Sequence, residues 1–232
     1  MDSNTYDQRR GEIETYFDRT AVKAWERLTS TAPVGRIRSS VRAGRDEMRA
    51  TLLSWLPSNM KGMRLLDAGC GTGALAVEAA KRGAQVLAID LSPTLVGIAR
   101  ERLPAELASR IDFRAGDMLD PALGRFDWVV GMDSLIHYDA TDAIRVLAGL
   151  AERTEQGLLF TFAPGTPLLR TMRAMGRLFP KSDRAPWIVP VGPKDLLDRL
   201  ARDPVLKGFP PGRTHRVKSG FYTSQALELR KP

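Results

Sequence analysis

Glycines and acidic residues in the stretch LLDAGCGTGALA, residues 65–76, have the types and spacing of a nucleoside-binding turn. Gly69, Gly71 and Gly73 leave the backbone bare where an apolar run meets an alanine-rich run. Glycines of this kind let ligand atoms approach the backbone, and the free N–H groups of a helix that begins there favour polar or anionic groups. The next apolar run ends in Asp90, at the spacing of an acid that hydrogen-bonds ribose hydroxyls. The pattern predicts an adenosine cradle.

Asp67, just before the first glycine, separates two classes of cofactor. GCGTGA also fits the dinucleotide fingerprint of nicotinamide-dependent oxidoreductases. The Asp67 carboxylate would repel a pyrophosphate on the turn, whereas it would attract the ammonium and sulfonium groups of S-adenosylmethionine. We therefore favour S-adenosylmethionine and keep the oxidoreductase as a more distant alternative.

Four stretches in chain order resemble the motifs of class I S-adenosylmethionine-dependent methyltransferases: LDAGCGTG, AIDLS, GDM and FDWVVGMDSLIHY. The resemblance implies that the side chain of Asp117 and the following N–H meet the adenine. We read Cys70 as a small packing residue in the turn rather than a nucleophile. The cofactor-binding residues implied are Asp67, Gly69, Cys70, Gly71, Gly73, Asp90, Leu91, Asp117, Met118 and Asp133.

Strand-like and helix-like runs alternate through the middle of the chain, which predicts parallel βαβ units. We expect an α/β, Rossmann-like class I methyltransferase fold: a doubly wound, mostly parallel seven-stranded sheet with an antiparallel C-terminal hairpin. Helices are expected over 3–30, over 36–56 ending at Pro57, and after Ser92, a predicted helix cap. Residues 1–57 would form an N-terminal helical arm or lid, and residues 58–232 the cofactor-binding domain with a basic substrate-recognition insert near 164–190.

Composition restricts the class of protein. The chain has 232 residues, 43% of them hydrophobic, a net charge of +8 and a mean hydropathy of -0.22. A polar N-terminus and a single cysteine favour a reducing cytoplasmic location without disulfides, and one cysteine with two histidines makes a metal site of N and S ligands unexpected. The positive charge favours an anionic partner or a merely soluble basic surface. No RNA-module motif or aromatic-interleaved basic stripe supports a nucleic-acid partner.

More specific stretches are YFDRTAVKAWERL, VRAGR, IHY, FAPGTP and SGFYTSQALE. From about Tyr16 to Glu228 the chain resembles the magnesium-protoporphyrin IX O-methyltransferase family of chlorophyll and bacteriochlorophyll biosynthesis. The resemblance implies methyl transfer from S-adenosylmethionine to one propionate of magnesium-protoporphyrin IX, giving a monomethyl ester. It also suggests the large porphyrin-binding subunit of magnesium chelatase as substrate donor, and a peripheral contact with an anionic membrane. Another class I O-methyltransferase, acting on a different carboxylic acid or a quinone precursor, is the first alternative.

Such a reaction needs alignment more than a base. A propionate has a pKa of roughly 4 to 5 by analogy with Glu, so it is already ionised at neutral pH. The protein must dehydrate this carboxylate, align one oxygen with the S–CH₃ bond and exclude water, which makes a lid expected.

The resemblance ties His137 to catalysis, as an orienting group, a proton acceptor or a magnesium ligand, while a helix-capping role stays open. Arg170, Arg173 and Arg177 share one predicted helix face that could meet propionates, a membrane or neither. Members of the family carry a tyrosine where this chain has Thr29, so the catalytic role of the N-terminal segment is open. The substrate-binding residues expected are Tyr16, Trp25, Tyr138, Arg170, Arg173 and Arg177.

Overall fold

The computed structural model of the chain describes residues 3–16, 35–165 and 188–232. Its strands are β1 Arg64–Ala68, β2 Gln85–Asp90, β3 Ile111–Ala115, β4 Phe126–Gly131, β5 Thr154–Phe162, β6 Pro211–Ser219 and β7 Tyr222–Arg230. They form one seven-stranded sheet in the order β3-β2-β1-β4-β5-β7-β6. Strands β1 to β5 pair in parallel, and β7 runs antiparallel to both β5 and β6. The predicted doubly wound sheet with an antiparallel C-terminal hairpin is confirmed.

The described α-helices are α1 Ser3–Thr15, α2 Arg36–Trp55, α3 Ala74–Lys81, α4 Pro93–Glu101, α5 Ala140–Ala151 and α6 Pro193–Arg202. Short 3₁₀ helices cover Ala105–Leu107, Pro121–Leu123, Leu135–His137 and Leu206–Gly208. The N-cap of α4 is Ser92, whose Oγ accepts from the N–H of Leu95 at 3.2 Å, as the sequence predicts. The predicted helix over 3–30 is described only at its start, because residues 17–34 lie outside the described part of the chain.

Hydrophobic side chains cover both faces of the sheet, which is why its central strands read as continuous apolar runs. On one face Val129 and Leu158 pack with Leu147 of α5 and Leu196 of α6. The opposite face holds a second cluster, which α2, α3 and α4 cover; its members include Met48, Leu65, Ala79, Val96 and Val130. The sheet is therefore held between two helical layers.

Both described N-terminal helices contribute to these clusters. Met48 and Leu52 of α2 are fully buried, and Tyr6 and Ile13 of α1 lie in the first cluster. The buried face of α2 is thus packed on the sheet as part of the core, while the boundary at residue 57 and the lid movement stay predictions. Within the described ranges, no helix is both long and apolar enough to cross a membrane.

Candidate functional site

The turn between β1 and α3 depends on its glycines. Gly69, Gly71 and Gly73 have φ angles of 87°, 53° and 79°, in the left-handed region that other residues seldom adopt. A Cβ on Gly69 would lie 2.4 Å from the Cβ of Ser134, and one on Gly73 would lie 2.6 Å from the ring of Phe113. The segment after β4 therefore lies directly against the turn. Both are at the carboxyl ends of parallel strands, where ligands bind in open sheets of this kind.

Asp90, at the end of β2, reaches across to this turn. Its Oδ2 accepts from the N–H of Gly71 at 2.8 Å, and its Oδ1 accepts from the N–H of Ser92 at 3.0 Å. Burial raises the pKa of Asp90 above its ordinary value, and these backbone hydrogen bonds oppose the shift. Asp90, which we predict to bind the ribose, is thus fixed beside the glycines.

Asp67 lies at the same edge, at the carboxyl end of β1, and is only 2% exposed. Among the described residues, its Oδ2 has no hydrogen-bond partner. Burial, and then the charge of Asp90, raise the pKa of Asp67 to about 7. Buried oxygens without a partner are rare in folded proteins. A carboxylate of this kind fits a cation such as the ammonium group of S-adenosylmethionine, and the cation would restore its charge.

Two other predicted cofactor residues lie at the first hydrophobic cluster. Leu91 packs against the first cluster, and Met118 is a buried member of it. Cys70 is half-buried against the second cluster, where burial raises the pKa of its thiol well above the ordinary value. A protonated, packed thiol agrees with a structural role for Cys70.

The structure gives the predicted adenine residue, Asp117, partners that we did not predict. Tyr6 of α1 donates its hydroxyl to Asp117 Oδ1 at 2.8 Å, and Arg10 lies 2.6 Å from Oδ2. The Tyr6 ring also stacks on Tyr138, with centroids 5.5 Å apart and planes at 19°. Helix α1 therefore lies over the predicted adenine position. Four-residue spacing places Tyr6 and Arg10 on one helix face, but the sequence carries no signal that this face meets a residue 111 positions away.

Asp133 follows β4, and protein donors surround its carboxylate. Arg45 contacts Oδ2 at 2.7 Å, while the hydroxyls of Tyr222 and Ser224 lie 3.0 and 3.2 Å from Oδ1. Its side chain is 6% exposed. The structure thus places Asp133 in a network within the protein, and its predicted cofactor contact stays a prediction.

The predicted catalytic residue His137 ends a 3₁₀ helix, Leu135–His137, and is 8% exposed. Tyr138, which follows, is 2% exposed, and burial raises the pKa of its phenol. The carbonyl of Ile136 accepts from the N–H of Val189 at 2.8 Å. The chain returning from the predicted basic insert therefore runs beside the His137 helix.

The remaining predicted substrate residues are only partly described. Tyr16 is half-buried, and burial raises the pKa of its phenol. Trp25, Thr29 and the three arginines Arg170, Arg173 and Arg177 lie outside the described residues. At the base of the insert, Pro164 and Val191 form a parallel bridge, so both ends of the segment meet at the end of β5. Across the described ranges, no three His, Cys, Asp or Glu side chains are grouped to hold a metal.

Two family models match the chain. Residues 131–231 match the C-terminal model of magnesium-protoporphyrin IX methyltransferases, and residues 65–157 match a general methyltransferase domain. The first begins at the last residue of β4 and runs through the His137 segment to β7, and the second contains the glycine turn. The matched regions together contain every described part of the site except the two N-terminal helices.

Full-length relatives extend the similarity to the N-terminal helices. A magnesium-protoporphyrin O-methyltransferase from Rhodobacter capsulatus is 50% identical over 226 residues, covering 97% of this chain and 98% of that protein. The crystal structure of magnesium protoporphyrin IX methyltransferase from Synechocystis with bound SAH has a TM-score of 0.83 at 28% identity, covering 96% of this chain and 100% of that one. A second structure of that enzyme, with bound SAM, has a TM-score of 0.76 at 26% identity, and each chain is covered to 97%. The chain belongs to the magnesium-protoporphyrin IX methyltransferase family.

Proposed function

We propose that this protein transfers a methyl group from S-adenosylmethionine to a propionate carboxylate of magnesium-protoporphyrin IX, forming the monomethyl ester and S-adenosylhomocysteine. The single observation that carries the proposal is the 50% identity to a magnesium-protoporphyrin O-methyltransferase over nearly the whole of both chains. The geometry of the strand ends supports the same chemistry.

The residues around the glycine turn fit S-adenosylmethionine. Asp67 offers a buried carboxylate oxygen to a cation, and Asp90 is fixed where a ribose is expected. Gly69 and Gly71 leave no side chain between the backbone and a ligand. When bound, S-adenosylmethionine supplies an electrophilic methyl group; Asp67 would hold its amino-acid part and Asp90 its nucleoside.

The protein's further contribution is orientation and exclusion of water. The acceptor carboxylate is ionised at neutral pH, so the reaction requires no strong base. Holding two reactants in line lowers a barrier by about 7 to 11 kcal/mol in favourable models. Helix α1, fixed to Asp117 through Tyr6 and Arg10, covers one side of the site and would keep water out.

His137 and Tyr138 are the proposed substrate-facing residues of the β4 segment. His137 would hold the acceptor carboxylate in line by a hydrogen bond, and the Tyr138 ring would line the apolar wall beside it. Tyr16, Trp25 and the arginines Arg170, Arg173 and Arg177 remain proposed contacts of the porphyrin and its propionates. In this proposal, aromatic side chains bind the apolar porphyrin ring and cationic side chains bind its two propionates.

A substrate panel tests this function. Purified protein, labelled S-adenosylmethionine and a set of acceptors are incubated together: magnesium-protoporphyrin IX, metal-free protoporphyrin IX, a quinone precursor and a simple carboxylic acid. We expect the label in a porphyrin monomethyl ester. Label in the quinone precursor or the simple acid, with none in the porphyrins, would identify a different O-methyltransferase. A thermal shift with NAD but none with S-adenosylhomocysteine would instead favour an oxidoreductase.

Two partners are further parts of the proposal. The porphyrin-carrying subunit of magnesium chelatase would deliver a poorly soluble substrate directly, and an anionic membrane would attract a chain with a net charge of +8. Flotation with anionic liposomes tests the membrane contact. If a variant with Arg170, Arg173 and Arg177 changed to Glu floats as well as the wild type, these arginines do not form the membrane contact.

A further inference from the structure

Two specific sequence motifs have no role in the site as described so far. VRAGR, residues 41–45, lies in α2, and SGFYTSQALE, residues 219–228, forms the end of β6, the turn and most of β7. In the fold both motifs meet at Asp133. Arg45 from the first motif and Tyr222 and Ser224 from the second are its carboxylate partners. We call these four residues, together with Thr161, the Asp133 anchor.

Close backbone packing fixes how the two motifs approach each other. A Cβ on Gly44 would lie 2.4 Å from Cδ1 of Tyr222, so the helix rests directly on that ring. A Cβ on Gly220 would lie 2.4 Å from Oγ of Ser40, one helical turn earlier. Larger residues at these two glycines would push α2 away from the hairpin. The glycines thus set the distance from which Arg45 reaches Asp133.

The backbone of Asp133 needs this support. Its φ angle is 56°, the one left-handed φ of a residue other than glycine in the described chain. Such a conformation is strained for a residue with a side chain and persists where surrounding contacts impose it. The Asp133 N–H donates to Thr161 Oγ1 at 2.7 Å, so the anchor holds the backbone and carboxylate together.

The anchored residue starts the segment on which the reaction is expected to depend. Ser134, which follows, lies against Gly69 of the cofactor turn, and the 3₁₀ helix Leu135–His137 comes next. A change at Asp133 would therefore shift His137 and the wall of the glycine turn together. Misplacement of about 1 Å in a positioned group can cost 10²-fold in rate.

Charge gives Arg45 a second effect. The Asp133 carboxylate is almost fully buried, and Arg45 is its cationic partner within the described anchor. Without Arg45, an uncompensated negative charge would remain near the place where an anionic acceptor must approach. Burial and the Asp133 charge raise the pKa of Tyr222 above its ordinary value, so its phenol stays protonated and donates to the carboxylate.

We propose that Arg45 and Tyr222 are positioning residues for methyl transfer: through Asp133 they hold the left-handed turn that places His137 and Ser134 at the cofactor edge. This inference rests on the proposed function. It assigns the two motifs one shared role, in which α2 and the C-terminal hairpin act on the reaction without touching the substrate.

The test compares Arg45→Met with the double variant Arg45→Met, Asp133→Asn. We expect Arg45→Met to lower kcat on magnesium-protoporphyrin IX by about 10- to 100-fold and to weaken binding of S-adenosylhomocysteine by a smaller factor. Asparagine tolerates the left-handed region, still accepts from Tyr222 and carries no charge. The double variant is therefore expected to recover most of the lost kcat. Arg49→Met, one turn along α2 at a more exposed ion pair with Asp46, is the matched control and is expected to match wild type.

A spectroscopic readout separates this inference from the proposed function. The chain has two histidines, so the ring resonances of His137 and His215 can be assigned by elimination. Arg45→Met is expected to shift the His137 signals and leave His215 unchanged. Tyr222→Phe, which keeps the ring against Gly44, serves the same purpose if Arg45→Met does not fold. Two results would overturn the inference, provided that the wild type is active. The first is a variant kcat and variant His137 signals that equal those of the wild type. The second is a double variant that recovers none of the lost kcat. An inactive wild type whose His137 signals still respond would contradict the proposed function alone.

Discussion

Asp67, which is buried, and Asp90, which is half-buried, lie at the carboxyl ends of two neighbouring parallel strands, and burial followed by the charge of Asp90 raises the pKa of Asp67. Asp90 has backbone donors from Gly71 and Ser92, whereas Oδ2 of Asp67 has no partner among the described residues. Holding an ionised Asp67 beside the ionised Asp90 lowers the stability of the folded protein when no ligand is bound. A positively charged ligand that completes the site would explain it.

Removal of the Asp67 charge is expected to stabilise the unliganded protein. Its folded pKa of about 7 lies above the ordinary value of 3.8, so the folded state binds more protons between these values. Stability of the unliganded protein therefore falls as the pH rises from about 4 to 7. Because one pKa unit corresponds to about 1.4 kcal/mol, we expect Asp67→Asn to gain about 1–3 kcal/mol at pH 7.5, measured by urea denaturation.

The same variant is expected to bind the cofactor less well. Loss of a charged hydrogen bond of about 1.5–3 kcal/mol corresponds to roughly 10- to 100-fold weaker binding of S-adenosylhomocysteine by calorimetry. Asp112→Asn, an exposed acid on β3 paired with Arg114, is the control and should change neither property. A destabilised Asp67→Asn protein with unchanged affinity would show that Asp67 serves the fold alone.

The contact of helix α1 with Asp117 gives a prediction about local opening. Tyr6→Phe removes a hydrogen bond to a carboxylate, worth about 1.5–3 kcal/mol, while keeping the ring stacked on Tyr138. We expect backbone amides of residues 3–15 to exchange about 10- to 100-fold faster, with strands β1 and β4 unchanged. Hydrogen exchange measured by mass spectrometry checks this.

Arg9→Met is the control for that measurement, because Arg9 pairs with Glu12 on the exposed side of the same helix. It should leave exchange within about twofold of wild type, as expected for a surface ion pair. Equal exchange in Tyr6→Phe and wild type would mean that other contacts keep α1 over the site.

A second acid–base pair is expected to contribute to stability. Glu228 of β7 is 3% exposed, and Arg213 of β6 contacts its two oxygens at 2.7 and 2.8 Å. Arg213 lowers the pKa of Glu228 below its ordinary value of 4.5, so the stabilisation is present above pH 4.5 and is lost as the pH falls through the folded pKa. We expect Arg213→Met to cost about 1–3 kcal/mol at pH 7, less than a fully buried pair because Arg213 is itself partly exposed.

The pH dependence of that variant provides its check. The difference in unfolding free energy between wild type and Arg213→Met should shrink as the pH falls below 4.5, measured by urea denaturation. Arg216→Met on the same strand removes contacts to the neutral Gln225 and should show no such dependence. A constant difference across this range would mean that Arg213 stabilises the hairpin by packing, for instance against Trp55.

His137 is expected to affect turnover more than cofactor binding. His137→Ala should lower kcat by about 100-fold, because a positioned hydrogen bond to the acceptor is lost, with affinity for S-adenosylhomocysteine within threefold. Steady-state kinetics and calorimetry give the two quantities. His215→Ala, on an exposed part of β6, is the matched control. An equal loss of affinity and turnover would assign His137 to the cofactor site instead.

Local signals predicted the elements of this fold well. Ser92 marked the start of α4, and Pro57 marked the end of α2, because caps and prolines act within a few residues. The glycine turn and the two acids at the strand ends were equally readable, since strand ends of parallel sheets meet at one edge.

Contacts between distant segments were not predictable in the same way. The sequence showed that VRAGR and SGFYTSQALE are specific, but not that Arg45 and Tyr222 meet at Asp133, 88 and 89 residues away. Their meeting depends on β7 inserting between β5 and β6 and on α2 packing along that hairpin. Asp117 shows the same limit, because its partner Tyr6 lies on a helix with no pattern that names its target.

Methyl transfer itself tests the central claim most directly. Wild-type protein with methyl-labelled S-adenosylmethionine and magnesium-protoporphyrin IX is predicted to yield labelled monomethyl ester and one equivalent of S-adenosylhomocysteine, identified by mass spectrometry. Asp67→Asn should reduce this product at limiting donor, and His137→Ala should reduce it even at saturation. A correctly folded wild type that binds the donor but leaves magnesium-protoporphyrin IX unmethylated, while it methylates another acceptor, would contradict the account.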